Sequence, residues 1–469
     1  MTRRSLHSIV ELPVQGYGAG RSIPVLFLKD GALSLFSLSW ARTMMVVEAM
    51  SPMHLYKSIC SVGLLYDFYS VCYEGRTLSP NEMPKLMRDF FEARAYGNSQ
   101  LGWSSVGRKA AKKEVRHASE FSKYCAENFD AIQVNPTEKK LLGDLNISDQ
   151  IQFFSKLEYR KKWDFLDHLT PTTELGQGII TRFSVNPKTG RLNQKKTMSH
   201  FPPDKVLKLI AATTNIRDKL AFILLFFGGL RESEILQLYV TDITTPDGDT
   251  EVRIGHPEFS TYEWEDQFRG KQVGNRQCFL EQRYGLAPRN KLGLTNPHHA
   301  GWKGMMYAKK DRYLEAEFYW LIPEMGRYFS KLHRIYLHQH RTGIPDNHPY
   351  YFINMFGDSY GTATKISNFT KSFYRAAERI GLSSKDQGVN PHGARHFYGY
   401  FLASYLKIPI ERAQLMLRHA SITSTEVYYS IDDRIVRDEL RKAYEKLNDD
   451  IPEFIRELKA LDTQERIPC

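Results

Sequence analysis

The sequence predicts an α+β fold that is mainly helical and carries a small antiparallel β-sheet. From Leu33 onward, successive segments place apolar residues at three- and four-residue steps, which is the period of an amphipathic helix. Between Glu251 and Pro323 this period is lost, and short strand-like segments alternate with turn residues. Between Leu175 and Pro203 the chain has no acidic side chain and is rich in Gly, Pro, Asn and Ser. We therefore expect two domains joined by a basic linker.

These boundaries divide the 469 residues into five segments. Residues 1–32 look irregular and form an N-terminal extension. Residues 33–174 are predicted to be a helical domain, and residues 175–203 the basic linker. Residues 204–432 are predicted to be a second domain with the small sheet, followed by a helical tail at 433–469.

Five segments of the first domain have the helical pattern. They cover residues 34–50, 53–75, 81–97, 110–132 and 149–169. A basic cluster of Arg108, Lys109, Lys112, Lys113 and Arg116 stands at the start of the fourth. A solvated helix face and an edge that contacts phosphates both explain such a cluster.

The second domain is predicted to open with a helix after Phe201 and a buried helix that ends at a Gly pair. Its strand-like segments are residues 251–255, 302–308 and 316–323, with a hairpin turn at 309–315. Helices are then expected at residues 325–340, 366–381, 394–406 and 411–419.

Charge and composition narrow the class of protein. Lys and Arg number 64 against 53 Asp and Glu, a net charge of +11 that suits a polyanionic partner, either nucleic acid or an anionic membrane surface. Five scattered cysteines without a C-x-x-C pair argue against a disulfide framework or a structural zinc site, and fit a reducing compartment. The longest apolar run, Leu220–Leu230, is short for a membrane span, and the N-terminus does not resemble a signal peptide. We expect a cytoplasmic protein without a membrane partner.

The first of three motifs is Gly228–Leu236, GGLRESEIL. Its two glycines let the backbone approach a ligand closely. Arg231 begins a helix, and Glu234 lies one turn further on, where it can hold the guanidinium. An Arg fixed in this way can contact a phosphate through two hydrogen bonds. Taken alone, the motif is explained as well by a surface Arg at a helix start.

The second motif, NPHGARH, begins at Asn390. Asn is a favourable N-cap and the Pro after it suits the first helical position. His392 and Arg395 are then neighbours near a helix N-terminus, which favours an anion. His396 falls on the next turn, where we expect it to buttress the core.

The third motif runs from Leu417 to Tyr429. His419 closes one helix, small hydroxyl residues start the next, and Tyr428 and Tyr429 follow. Adjacent residues on a helix point about 100° apart, so the two tyrosines cannot face the same group. On its own, this tyrosine pair would be assigned to the core.

In this order and spacing, R…H-x-x-R…H…Y, the motifs resemble those of the tyrosine recombinase (phage integrase) family. The resemblance covers Phe201–Tyr429 well, and extends weakly over the N-terminal helical region, which is similar to the family's core-binding domain. Two residues depart from the family pattern: Arg418 replaces the usual Gly before the His, and Ala394 replaces a Leu. The strand region is also longer than usual.

The resemblance implies DNA strand exchange through a 3′-phosphotyrosyl intermediate, with no metal or nucleotide cofactor. Tyr428 would be the nucleophile, since its distance from His419 is the family's usual gap. The remaining catalytic residues would be Arg231, Arg395, His392, His419 and a Lys of the strand region. Lys303 is the first choice for that Lys, and Lys309 and Lys310 are the alternatives.

The resemblance also implies partners: duplex DNA carrying specific sites, a tetramer of this chain on paired sites, and accessory DNA-bending or directionality factors. The tail at 433–469 would contact a neighbouring protomer, unless it packs on its own domain. DNA phosphates would be contacted by Lys188, Arg191, Lys195 and Lys196 of the linker, and by Arg108, Lys109, Lys112 and Lys113. We expect integration or excision of a mobile element, and a nucleoid-associated location.

Three alternatives remain open from the sequence. A type IB topoisomerase would use the same residue types to relax DNA without pairing two sites. A DNA-binding protein without catalysis is a second alternative, although every expected catalytic residue type is present. A metalloenzyme using His298, His299 and Cys278 is the third, and their spacing fits no metal motif.

Overall fold

The fold is mainly helical with small antiparallel sheets, as the sequence predicts. The computed structural model describes residues 5–15, 20–141, 143, 150, 154, 179–187, 199–266, 269–307 and 313–429. The chain divides into two compact units, Met1–Leu192 with Gly293–Thr295, and Asn193–Leu292 with Asn296–Cys469. Among the described residues, no helix is long and apolar enough to cross a membrane.

The first unit opens with a β-hairpin followed by helices. Strands β1 (Ser8–Pro13) and β2 (Ser22–Phe27) pair antiparallel, with Val10 opposite Val25. The helices are α1 (Leu35–Val46), α2 (Pro52–Cys72), α3 (Met83–Tyr96) and α4 (Arg108–Phe129). A second antiparallel pair joins β3 (Thr137–Leu141) to β4 (Ile179–Phe183). The expectation of an irregular N-terminus is wrong here: the apolar side of β2 is buried with α1 and α2, which gives the hairpin a core to pack on.

Three helices open the second unit, and the last two carry the first motif. They are α5 (Val206–Ala212), α6 (Ile216–Gly228) and α7 (Glu232–Ile235). Helix α8 (Arg276–Tyr284) comes later in the chain. Asn215 caps α6 by accepting from the Arg217 N–H at 2.9 Å. Almost every residue of α6 is buried, so it is the central helix of this unit.

Short strands follow the first motif. They are β5 (Ile243–Thr244), β6 (Glu251–Val252), β7 (Ile254–Gly255), β8 (Thr261–Asp266), β9 (Gly270–Asn275) and β10 (Glu315–Ala316). They pair antiparallel as β5 with β6, β7 with β10, and β8 with β9.

The remaining helices carry the second and third motifs. They are α9 (Pro323–Tyr336), α10 (Ile366–Arg379), α11 (Pro391–Ser404), α12 (Ile410–Leu417) and α13 (Thr423–Tyr429). Their apolar faces pack around α6 in one core that includes Phe226, Phe373 and Phe397. This packing brings the three motifs, distant in sequence, together at the C-terminal end of α6.

The strand region differs from the sequence prediction in two places. Helix α8 lies inside it, started by Asn275, whose side chain accepts from the Cys278 N–H at 2.8 Å. The strand predicted at 302–308 has no regular secondary structure over its described residues 302–307, and β10 is shorter than the predicted strand at 316–323. In this segment Trp302 and Tyr307 instead hydrogen-bond to each other, indole Nε1 to phenol at 3.0 Å.

Candidate active site

The first motif forms a tight turn that presents Arg231. Gly229 ends α6 in the left-handed conformation, with φ of 60°, and a Cβ there would lie 2.8 Å from the Tyr398 ring. Arg231 is the N-cap of α7, and its backbone N–H donates to Glu234 Oε2 at 2.8 Å. Its guanidinium donates to the other oxygen of the same carboxylate. The structure therefore has the Arg231–Glu234 contact that the sequence predicts.

Arg395 connects the three motifs. It lies in the second turn of α11, which Asn390 caps by accepting from the Gly393 N–H at 2.8 Å. Its side chain is 1% exposed, and its guanidinium donates to the backbone carbonyls of Gly229 and Leu417. It also lies 3.8 Å from the Glu234 carboxylate. One buried guanidinium thus binds a carbonyl from the first motif and one from the third.

Arg418 is a site residue that the sequence analysis recorded only as a departure from the family pattern. It ends α12 in the left-handed conformation, with φ of 56°, where Gly is the usual residue. Its buried guanidinium donates to the carbonyls of Gly228 at 3.0 Å and Gly229 at 2.9 Å. An Arg at a helix end that favours Gly was the signal in the sequence that its side chain has a specific partner.

The charges of these residues form one cluster around Glu234. Burial alone would raise the pKa of the Glu234 carboxyl, but the charges of Arg395, Arg231 and Arg418 hold that pKa below its usual value. Burial, with the charges of Arg231 and Arg418, lowers the pKa of Arg395 to about 9 against the attraction of Glu234. Three guanidinium groups therefore share one carboxylate. The excess of positive charge favours an additional anion beside Arg231, whose side chain is 15% exposed and is the most accessible of the cluster.

Three histidines lie beside the arginine cluster: His396 and His419 are buried, whereas His392 is exposed. Partial desolvation of its ring, followed by the charges of Arg395, Lys303 and Arg231, lowers the pKa of His392 to about 4. Burial and neighbouring positive charges lower the pKa of His396 and that of His419 to about 3. All three imidazoles are therefore neutral at pH 7 in the free protein.

Tyr428 faces this cluster from α13. Its hydroxyl lies 2.9 Å from Nδ1 of His396, and its ring is nearly parallel to that of His419, with centroids 6.2 Å apart. Burial raises the pKa of Tyr428, and the charges of Arg395 and Arg231 pull it back down. The phenol is therefore within the electrostatic reach of both arginines. Tyr428 is thus placed with the histidines and arginines of the other two motifs.

Tyr429 occupies a different environment. Its hydroxyl donates to the backbone carbonyl of Ile408, so its polar group is satisfied away from the arginines. Burial first and then the charge of Glu411 raise the pKa of Tyr429. The two adjacent tyrosines thus point to different partners.

Lys303 is exposed and lies in the irregular segment 301–307, so the expectation that it stands at the head of a strand is wrong. A strand there would need a paired partner, and β7 pairs with β10 instead. The charge of Lys303 is close enough to lower the pKa of His392. The Met306 N–H donates to the Arg418 carbonyl at 3.2 Å, which attaches this segment to the third motif. Lys309 and Lys310 lie outside the described residues.

The predicted DNA-binding residues are described only in part. Arg108, Lys109, Lys112 and Lys113 all lie in the first two turns of α4. Arg108, Lys109 and Lys113 are exposed, and the Arg108 guanidinium also packs over the Phe91 ring at 5.4 Å. The linker residues Lys188, Arg191, Lys195 and Lys196 and the predicted tail lie outside the described residues.

Of the residues named for a metal site, His299 has another partner for its side chain. His299 Nδ1 hydrogen-bonds to the Leu292 carbonyl at 2.8 Å, and burial and the charge of Arg289 lower the pKa of His298 to about 4. Within the described ranges, no three His, Cys, Asp or Glu side chains come together as a possible metal site.

Comparison with known proteins gives matches among solved structures alone. No protein-family model matches the chain, and no curated protein matches its sequence. XerA recombinase is 14% identical, with 87% of this chain and 97% of that chain covered and a TM-score of 0.31. The Tn1549 transposon integrase in complex with transposon right-end DNA is 13% identical, with coverages of 82% and 99% and a TM-score of 0.37. XerH recombinase in a post-cleavage complex with a palindromic difH substrate is 13% identical, with coverages of 88% and 85% and a TM-score of 0.45. At these identities and TM-scores, the chemistry of the site has to come from its own residues.

Proposed function

We propose that this chain is a site-specific tyrosine recombinase, which cleaves and rejoins duplex DNA through a covalent phosphotyrosine at Tyr428. One observation carries the proposal: the Tyr428 hydroxyl lies 2.9 Å from His396 Nδ1, within the electrostatic reach of Arg231 and Arg395. A nucleophile, a proton acceptor and anion-binding groups are the parts that phosphoryl transfer to a hydroxyl requires.

The arginine cluster would stabilise the transition state. A phenol with a pKa of about 10 is a weak nucleophile at neutral pH, so its attack on a phosphodiester needs strong charge stabilisation. Arg231 and Arg395 would hold the two nonbridging oxygens, where negative charge builds up as phosphorus becomes five-coordinate. Because Glu234 and the backbone carbonyls already fix both guanidinium groups, little reorganisation is needed when the phosphate arrives.

The reaction is a reversible exchange of esters. The Tyr428 oxygen forms a bond to phosphorus, and the bond from phosphorus to the 5′-oxygen breaks. Lys303, exposed beside His392, would give the departing 5′-oxygen its proton. The neutral imidazoles of His392 and His419 would donate hydrogen bonds to the phosphate. Attack of a 5′-hydroxyl from another strand on the phosphotyrosine then reverses the step and joins new ends.

The rest of the chain would hold the duplex. Net charge of +11 and the exposed Lys109 and Lys113 of α4 favour phosphate contacts, which position a duplex without reading its sequence. We extend the proposal to domains at 33–174 and 204–432 that both contact the duplex, joined by the basic linker. Four copies would act on two paired sites of a mobile element, helped by DNA-bending or directionality factors, in the cytoplasm.

A covalent-adduct assay tests the proposal. A duplex ligand is first enriched from a randomised library by binding to the full chain, and is then nicked at successive positions so that the product strand diffuses away. The unaltered chain and Tyr429→Phe should give a protein–DNA adduct on a denaturing gel, and Tyr428→Phe should give none while still binding the duplex. An adduct from Tyr428→Phe, or no adduct from the unaltered chain on any nicked duplex, contradicts the proposal.

A further inference from the structure

We infer that His396 is a catalytic residue, which accepts the proton of the Tyr428 hydroxyl during cleavage and returns it during rejoining. The inference rests on the proposed function, because it assigns a role at the same phosphotyrosine step. From its sequence position, His396 was expected only to buttress the core. The structure instead puts its Nδ1 at hydrogen-bonding distance, 2.9 Å, from the atom that would attack phosphorus.

Two packed helices build this contact. His396 lies on α11 and Tyr428 on α13, and their ring centroids are 5.6 Å apart at an interplanar angle of 52°. Gly399, less than one turn beyond His396, makes room for the phenol, since a Cβ there would lie 2.7 Å from two carbons of the Tyr428 ring. The absence of a side chain at Gly399 thus lets the Tyr428 phenol reach His396, which lies on the same helix, α11.

The surroundings keep His396 neutral. His392 and Arg395 face it from its own helix, His200 from the segment before α5, and Tyr428 from α13. Burial first, and then the charges of His392, Arg395 and His200, lower the pKa of His396 to about 3. A neutral imidazole with its proton on Nε2 presents the Nδ1 lone pair to the Tyr428 hydroxyl.

The other two histidines are less suited to this step. Nδ1 of His419 already hydrogen-bonds to Thr425 Oγ1 at 2.9 Å. His392 meets the edge of His396, with centroids 4.3 Å apart, and lies close to Lys303. His396 is thus the histidine of the three that is hydrogen-bonded to the attacking oxygen.

Bound DNA would make His396 a stronger base. In the free protein, the positive charge of Arg395 opposes a positive charge on the His396 imidazole. A phosphodiester held by Arg231 and Arg395 adds a negative charge beside the same imidazole, which raises its affinity for a proton. The proton then moves from the Tyr428 oxygen to Nδ1 as the bond from oxygen to phosphorus forms. On rejoining, the imidazolium returns the proton to the departing phenolate, so protons balance over one cycle.

The test compares His396→Asn with the unaltered chain on the same nicked duplex. The Asn side chain can accept a hydrogen bond near the position of Nδ1 but cannot take a proton, so it preserves the contact and removes the base. Adduct formation should slow by about 10²-fold or more. Because hydroxide must then remove the proton, the rate should climb about tenfold per pH unit between about pH 6 and about pH 9, more steeply than the unaltered rate.

Two controls separate proton transfer from a structural role. Replacing Tyr428 with a difluorinated tyrosine lowers the pKa of the phenol, so it should restore much of the His396→Asn rate and change the unaltered rate little. His392→Asn should slow the reaction without the steeper pH profile and without this rescue. If His396→Asn does not fold, His396→Gln takes its place in both comparisons.

The outcomes are distinguishable. A His396→Asn rate equal to the unaltered rate overturns the inference, and so does a slow variant whose rate responds neither to pH nor to the fluorinated tyrosine. Both results leave the proposed function standing, because the unaltered chain still forms its adduct. Absence of any adduct from the unaltered chain overturns the proposed function instead.

Discussion

Gly399 offers a direct perturbation of the Tyr428 position. In the structure, a Cβ on Gly399 would lie 2.7 Å from Cδ1 and Cε1 of the Tyr428 ring and 2.8 Å from Cγ. Favourable carbon contacts begin near about 3.5 Å, so Gly399→Ala requires the ring to move by roughly 1 Å. The hydroxyl of Tyr428 moves with its ring, away from the arginines and from His396.

The effects of Gly399→Ala on stability and on chemistry should differ. Ala is better than Gly inside a helix by about 1 kcal/mol, and overpacking costs about 1–3 kcal/mol, so the net loss in unfolding free energy is roughly 0–2 kcal/mol. A displacement of about 1 Å in a reacting group can slow a reaction about 10²-fold. We therefore expect a folded, DNA-binding variant whose adduct formation is about 10²-fold slower.

Three measurements check this expectation: denaturant unfolding, duplex affinity, and the rate of adduct formation on a nicked duplex. Ser404→Ala, on the last turn of the same helix, is the matched control, because it raises helix propensity without adding an atom beside Tyr428. It should leave the adduct rate unchanged. A Gly399→Ala variant that forms the adduct at the unaltered rate would refute the packing of Tyr428 against α11 in the reactive state.

Three further predictions concern residues around the site and on α4. Arg418→Ala should lower the unfolding free energy by about 2–4 kcal/mol, because the buried carbonyls of Gly228 and Gly229 each lose a donor. Arg418→Gly should lower it by about 1 kcal/mol less, because residue 418 has a φ of 56°, which Gly adopts more easily than Ala. Denaturant unfolding that ranks the two variants equally would contradict this. Lys303→Ala should slow adduct formation on an ordinary duplex but not on one with a 5′-bridging sulfur, which leaves without a proton; an unrescued defect would remove Lys303 from that role. Lys109→Ala with Lys113→Ala should reduce the log–log salt slope of duplex binding by up to about 1.8 in filter-binding titrations, and an unchanged slope would assign these side chains to solvent.

The helical parts of the fold could be predicted because their determinants are local. The Asn390 cap, the Pro after it and the Gly pair at the end of α6 specify helix limits within a few residues, and the structure confirms them. Helix α8 and the β1–β2 hairpin were not predicted, because their determinants are not local. Their stability comes from burial against elements distant in sequence, which the local period does not record.

In the candidate site, too, local features could be predicted from the sequence and contacts between distant segments could not. The motifs predict which residues stand near helix ends, and so the pairing of Arg231 with Glu234 could be anticipated. The partners of His396 and Arg418 could not be predicted, because each contact depends on tertiary packing. His396 meets Tyr428 across two helices, and Arg418 reaches the carbonyls that end α6.

The central claim is that Tyr428 becomes covalently bonded to DNA, and mapping the adduct tests it most directly. The adduct of the unaltered chain is digested with trypsin and nuclease. Cleavage after Arg418 and Arg434 gives a peptide, residues 419–434, that contains both tyrosines. Fragmentation in a mass spectrometer then locates the nucleotide. Our account predicts the nucleotide on Tyr428, and its presence on Tyr429, or on any residue outside this peptide, would contradict the account.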